Sequence, residues 1–415
     1  MPEGQDQARR RVYMDHAAAA PVDPRVLDRM MPFFSDRFGN PSSIHSSGRE
    51  PKRALEDARA SVARLINAKR KEEVIFTSGA TEASNLGIKG VAMRLRAEGN
   101  HVVTSAIEHI SILNIMKYLQ KQGFEVTHVP PTADGFVDMG EFERALRKDT
   151  LLASVMFANN EIGTLQPVAE IGRLLQERDI YFHVDAAPAA GQVPVDVQAL
   201  GIDLMSLSSN DMYGPKGVGA LYVRDGTRIE AVGQGGGQER GLRSGSENIP
   251  GIVGFGEAAE IAMSGMASEG ERLASLRDRL VRGMLERVDD SFLNGHPAKR
   301  LPNNANFRFK FVEGEAMLLN LDMMGVSVSS SSPCTSKSLL PSHVLLACGI
   351  PTEEAQSAVQ FTLGRWNTEE EVDRVLDVMP GVISKLRAMS PFSRENVEEM
   401  RSTAGHRDDH GHCDR

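Results

Sequence analysis

Ser208-Ser209-Asn210-Asp211-Met212-Tyr213-Gly214-Pro215-Lys216-Gly217 sits between two apolar runs, at 204 to 208 and 219 to 223. Its Gly-Pro-Lys-Gly end reads as a turn, so the stretch is a connection between two strands. Working outward, similar short runs recur near 73 to 77, 101 to 106, 124 to 130, 151 to 157 and 181 to 185. Helical periodicity fills the gaps, as in the helix that begins after Ser78-Gly79-Ala80-Thr81-Glu82 and the one around 167 to 178. That alternation predicts an α/β fold: βαβ units around a mostly parallel seven-stranded sheet, with functional loops at the carboxyl ends of its strands.

A long amphipathic helix, Glu269 to Val288, follows the glycine-rich stretch that ends near 251, and separate strands and helices come after it. The reading is a large domain over 12–264 and a smaller α+β domain over 265–396. Residues 1–11 and 397–415 are read as a flexible extension and a flexible tail. The tail holds His406, His410, His412 and Cys413, a composition found in metal-binding ends and in solvated ones.

With 415 residues, 41% of them hydrophobic, the chain can bury a large core. Lys plus Arg number 47 against 56 Asp plus Glu, a net charge of −9 without a long single-sign run, so nothing in the balance suggests a nucleic-acid surface. Three cysteines, Cys334, Cys348 and Cys413, are too scattered for a disulfide framework, and no signal-peptide core is evident. A cytoplasmic setting is expected. No apolar run reaches the roughly 18 residues that span a bilayer, so no membrane insertion is expected either.

Six motifs carry candidate chemistry. Thr77-Ser78-Gly79-Ala80-Thr81-Glu82 joins a strand to a helix start, a turn that aims N–H groups and a hydroxyl at an anion. Ile107-Glu108-His109 places a histidine just past a strand. Asn159-Asn160-Glu161-Ile162-Gly163-Thr164 precedes His183-Val184-Asp185-Ala186-Ala187-Pro188, where Asp185 ends an apolar strand. Gly235 to Asn248 is glycine-rich and includes Arg243 and Ser246, and it also reads as a hinge. Ser329 to Ser336 is a polar loop around Cys334, unlike the buried surroundings of a structural thiol. Cys348, in Val344-Leu345-Leu346-Ala347-Cys348, reads as packing. Thr362-Leu363-Gly364-Arg365-Trp366 offers a guanidinium suited to a carboxylate.

Together with Asn40-Pro41-Ser42-Ser43-Ile44-His45, these motifs resemble the cysteine desulfurases from Tyr13 to about Met379. Those are fold-type I enzymes dependent on pyridoxal 5'-phosphate (PLP) that pass sulfur from L-cysteine to iron-sulfur cluster assembly. The resemblance implies that Ala80, Thr81, Ser208, Ser209, Asn210 and, from the partner subunit of a homodimer, Ser246 hold the cofactor. It also implies that His109 stacks on the ring, Asp185 pairs with its nitrogen, and Asn160 reaches its hydroxyl. Asn40 and Arg365 would bind substrate, and Cys334 would carry a persulfide.

Two positions depart from the family pattern. A lysine forms the Schiff base where this chain has Asp211, and a glutamine bonds the phenolic oxygen where this chain has Pro188. A carboxylate cannot condense with an aldehyde, and proline has no side-chain donor. Lys216 corresponds to a second family lysine of the turn. The resulting expectation is a desulfurase-like partner of a scaffold protein, with Cys334 as sulfur carrier or as a ligand of a shared 2Fe-2S cluster, the sulfur coming from L-cysteine or sulfide. The alternative is a working desulfurase using non-covalent PLP.

Overall fold

The computed structural model describes residues 11–330 and 341–390. Seven strands form the large sheet: β1 (Val74–Thr77), β2 (His101–Ser105), β3 (Glu125–Val129), β4 (Thr150–Met156), β5 (Tyr181–Asp185), β6 (Leu204–Ser208) and β7 (Gly219–Val223). Their order is β1-β7-β6-β5-β4-β2-β3. The β3-β2-β4-β5-β6 portion is parallel, while β7 runs antiparallel to both β6 and β1. Every residue of β1, β2, β4 and β7 is buried, as a sheet covered on both faces requires. The expected α/β class and mostly parallel sheet are present.

The seven expected strands differ from the observed ones by at most a residue or so at each end. The helix expected over 167 to 178 is Val168–Gln176. The long helix, by contrast, starts at Ile249 and runs to Arg287, not from Glu269. Asn248 caps it, its Oδ1 accepting the Gly251 N–H at 3.2 Å. Its early turns are glycine-rich because neighbours press on them: a Cβ at Gly256 would lie 2.6 Å from the Ala58 Cα, and one at Gly254 would lie 2.6 Å from the Met30 sulfur. Helix Ser46–Leu65 crosses there.

One helix therefore serves two cores. Ile249 to Ala262 packs into the cluster that holds Phe76, Phe182 and Val184 of the large sheet. Leu273 to Met284 packs into a second cluster with Phe307, Phe309 and Phe361. That second cluster covers a four-stranded antiparallel sheet in which Asn304–Phe309 lies between Ser291–Asn294 and Val359–Thr362, with Ser329–Ser330 at the edge. Val12–Tyr13 pairs with Val326–Ser327, so the beginning of the chain docks on the later half. Among the described residues, no helix is long and apolar enough to cross a membrane.

Candidate active site

The carboxyl ends of β5 and β6 bring two acids together. Asp185 ends β5 and is buried, and its Oδ1 accepts the Ala187 N–H at 3.1 Å. Asp211 stands in the short 3-10 turn Asn210–Met212 just after β6, where the Ser208 hydroxyl donates to it. Burial pushes the Asp211 carboxyl up to about 6, and the charge of Asp185 adds to the shift. Burial also raises Asp185, against the Ala187 hydrogen bond and the charge of His109. The charge of His109 bears on Asp185. No lysine or arginine among the described residues is bonded to either acid.

His109 also caps helix Ile110–Lys121: its Nδ1 lies 2.7 Å from the Ser111 Oγ and accepts the Ser111 N–H at 3.3 Å. Behind the acids, a buried relay joins Ser84, Ser206, His183 and Ser154 through contacts of 2.9 Å. Burial holds the His183 imidazole down at about 3, so this relay is neutral.

Asp211 opens onto a cleft also lined by Asn160, Pro188, Tyr213, Asn303, Asn304, Thr362 and His16. Its water-accessible space is about 30 Å³. The Asn160 carbonyl is held at 2.6 Å by the Gln360 amide, which places the loop after β4 against the smaller sheet. His16 is 7% exposed and its Nδ1 has no partner. Burial lowers its pKa to about 4, so it is a neutral imidazole. The ring fits because residue 364 is glycine, where a Cβ would lie 2.3 Å from it. Sequence reading missed His16, whose neighbours come from distant segments.

Arg365 is already engaged. It pairs with buried Asp23 and lies over the Tyr213 ring, 4.6 Å from the ring centroid, and its N–H donates to the Tyr213 hydroxyl at 2.9 Å. Arg25 forks onto the same Asp23 at 2.8 and 2.9 Å. The first effect of these hydrogen bonds is to pull the Asp23 carboxyl down to about 2, so the pair stays charged. Asp23 could have been flagged from Asp23-Pro24, a helix-start signal, but not as a partner of a residue 342 positions away.

The turn from Thr77 to Glu82 and the glycine-rich stretch also meet. Arg243 donates to Glu82 at 3.0 Å, and Glu82 in turn accepts the Ser78 N–H. Glu239 forks onto buried Arg59 with two 2.7 Å bonds and accepts the Phe76 N–H at 2.8 Å, fastening the loop to β1. Ala80 is partly buried, and Thr81 and Ser246 are exposed beside that junction. Asn40 is exposed in a turn where its Oδ1 accepts the Ser42 N–H at 2.8 Å, and it does not line the cleft. Buried Ser209 leaves its Oγ unpartnered, and Asn210 Oδ1 accepts the Ala20 N–H at 3.4 Å.

Covalently bound PLP does not fit these residues. The side chain facing the cleft from the β6 turn is a carboxyl, and the Lys216 amine donates to the Ala20 carbonyl at 2.9 Å. Cys334 lies outside the described residues, as do His406, His410, His412 and Cys413. The described flanks of the Cys334 segment are nonetheless tied beside the site. Ser329 donates to Asp15, Ser342 donates to buried Glu161, and the His343 Nε2 donates to the Glu108 carbonyl at 2.9 Å. Cys348 is partly buried, and burial raises its thiol to about 12, in keeping with packing.

Residues 12–375 match the family model described as aminotransferase class-V. A cysteine desulfurase IscS 1 of Archaeoglobus fulgidus is 53% identical over 382 residues, covering 92% of this chain and 99% of the relative. A cysteine desulfurase IscS of Dictyoglomus turgidum is 50% identical over 387 residues, covering 93% and 98%. Among solved structures, a NifS-like protein superposes with a TM-score of 0.85 at 38% identity, covering 91% of this chain and all of the other. A NifS-like protein from Rickettsia africae gives 0.81 at 29%, covering 90% and 99%. With sequence and fold in agreement over most of its length, the chain belongs to the class-V aminotransferase family, in the group of the cysteine desulfurases.

Proposed function

We propose that this protein serves iron-sulfur cluster assembly as a desulfurase-like homodimer that has given up Schiff-base chemistry. The observation that carries the reading is the half-buried Asp211 carboxyl at the end of β6, held by Ser208 and facing the cleft, while the Lys216 amine is committed to the Ala20 carbonyl. Family resemblance puts the cofactor-binding lysine at 211. Replacing it removes both the covalent anchor and a general acid–base group, a contribution worth about 10²–10⁴-fold. Alanine production from cysteine with added PLP should therefore fall roughly 100-fold or more below that of a lysine-bearing relative.

Cys334 supplies the remaining chemistry. As a thiolate it completes a 2Fe-2S cluster whose other ligands belong to a scaffold protein. As a sulfur carrier, it attacks the outer sulfur of a donor persulfide, forming a new S–S bond and releasing the donor thiolate. The anchoring of both flanks of its segment, at Asp15 on one side and at Glu161 and Glu108 on the other, supports presentation of the thiol from the site's rim. Cys334→Ser should abolish cluster formation with a scaffold protein while the dimer persists in sedimentation analysis. Undiminished cluster formation by that variant would refute the role of Cys334.

A further inference from the structure

Helix Gly314–Met323 carries more apolar surface than its core contacts use. Met317 and Leu321 are fully buried in the second cluster. On the opposite side, Leu319 and Met323 stand one turn apart and are 62% and 64% exposed. Met324, which ends the helix, is 48% exposed. A helix that is apolar on both sides belongs between two partners, and this one has a partner on one side only among the described residues.

The chain itself arrives at that face. Helix Glu369–Met389 lies antiparallel to it: Arg374 donates to the Met324 carbonyl at 3.0 Å, Lys385 to the Asn320 side chain at 3.1 Å, and Arg387 to the Lys310 carbonyl at 3.1 Å. Its last residue, Met389, is 72% exposed, and Ser390 follows near the beginning of helix Gly314–Met323. Residues 391–400 read Pro-Phe-Ser-Arg-Glu-Asn-Val-Glu-Glu-Met. At helical spacing Phe392, Val397 and Met400 share one side of this stretch, and Arg394, Glu395, Glu398 and Glu399 share the other. Ten helical residues span about 15 Å, the length of the helix they would cover. The glutamates complement Lys385, which is bonded to Asn320 and, among the described residues, to no carboxylate.

We propose that residues 391–400 fold back over helix Gly314–Met323, setting Phe392, Val397 and Met400 on Leu319 and Met323 as an intramolecular cover. A segment tethered this closely is present at an effective concentration of about 1 mM, which a second copy or a separate protein does not match at ordinary dilution. The covered helix leads through Val326–Ser327 into Ser329–Ser330, so a protein docking on this face must first displace the cover.

Methionine oxidation by hydrogen peroxide, followed by peptide mass mapping, reads the cover directly, because Met323 is the reporter and Met31, on the large domain, is the control. Three chains are compared at low micromolar concentration: the parent, a chain ending at Ser390, and the full chain carrying Phe392→Asp with Val397→Asp. The expected result is Met323 oxidation at least about fivefold slower in the parent than in the other two, with Met31 rates equal in all three. Equal Met323 rates would overturn the proposal, as would protection that survives the Phe392→Asp, Val397→Asp pair. Protection that persists without the tail and grows with protein concentration would assign the face to a second copy instead and would overturn it too.

Discussion

At the scale of single residues, the decisive contrast is between groups visible in a motif and groups supplied from elsewhere in the chain. Asp185 and Ser208 could be named from sequence because each ends an apolar run, and a strand's carboxyl end is where an α/β sheet places its chemistry. His16, Asp23 and the role of Glu108 were not legible, since their surroundings are assembled from segments far apart. Glu108 is fully buried, its Oε1 accepting from Ser105 at 2.5 Å and from the Met156 N–H at 2.9 Å, with Oε2 unpartnered. Burial raises its carboxyl to about 8. A carboxyl raised in the folded state holds its proton where the unfolded chain has lost it, so its contribution is complete at low pH and disappears as pH climbs from about 4.5 to about 8. Glu108→Gln should flatten that decline: urea midpoints measured from pH 5 to pH 8 should drop less steeply than in the parent protein. An unchanged slope would show that Glu108 does not titrate in this window.

At the scale of elements, strand positions followed from apolar runs, while the long helix did not follow from its amphipathic half alone. Gly254 and Gly256 argue against a helix by propensity, yet close packing on Met30 and Ala58 requires them. Tertiary contact overrode local preference. The glycine-rich loop from 233 to 248 is likewise more than a hinge, because Glu239 fixes it to helix Ser46–Leu65 and to β1. Arg59 and Glu239 are 8% and 7% exposed, so removing one partner strands a buried charge. Glu239→Ala should lower the unfolding free energy in urea by about 3–5 kcal/mol. A loss under about 1 kcal/mol would mean that the fork is broken or well solvated in solution.

For the whole molecule, the fold of the class-V aminotransferase family is kept, with the Asp211 carboxyl in the turn after β6. The large sheet, the shared long helix and the smaller sheet match solved NifS-like structures over nearly the full chain. The site presents a carboxyl pushed up to about 6 toward the cleft, and the nearby lysine is tied to a backbone carbonyl. The most direct test is borohydride reduction of the protein incubated with PLP, followed by peptide mass mapping, for the parent and for Asp211→Lys. The account predicts an unmodified parent and a single pyridoxyl group on residue 211 of the variant. A pyridoxyl adduct on Lys216 or any other lysine of the parent's site would contradict it.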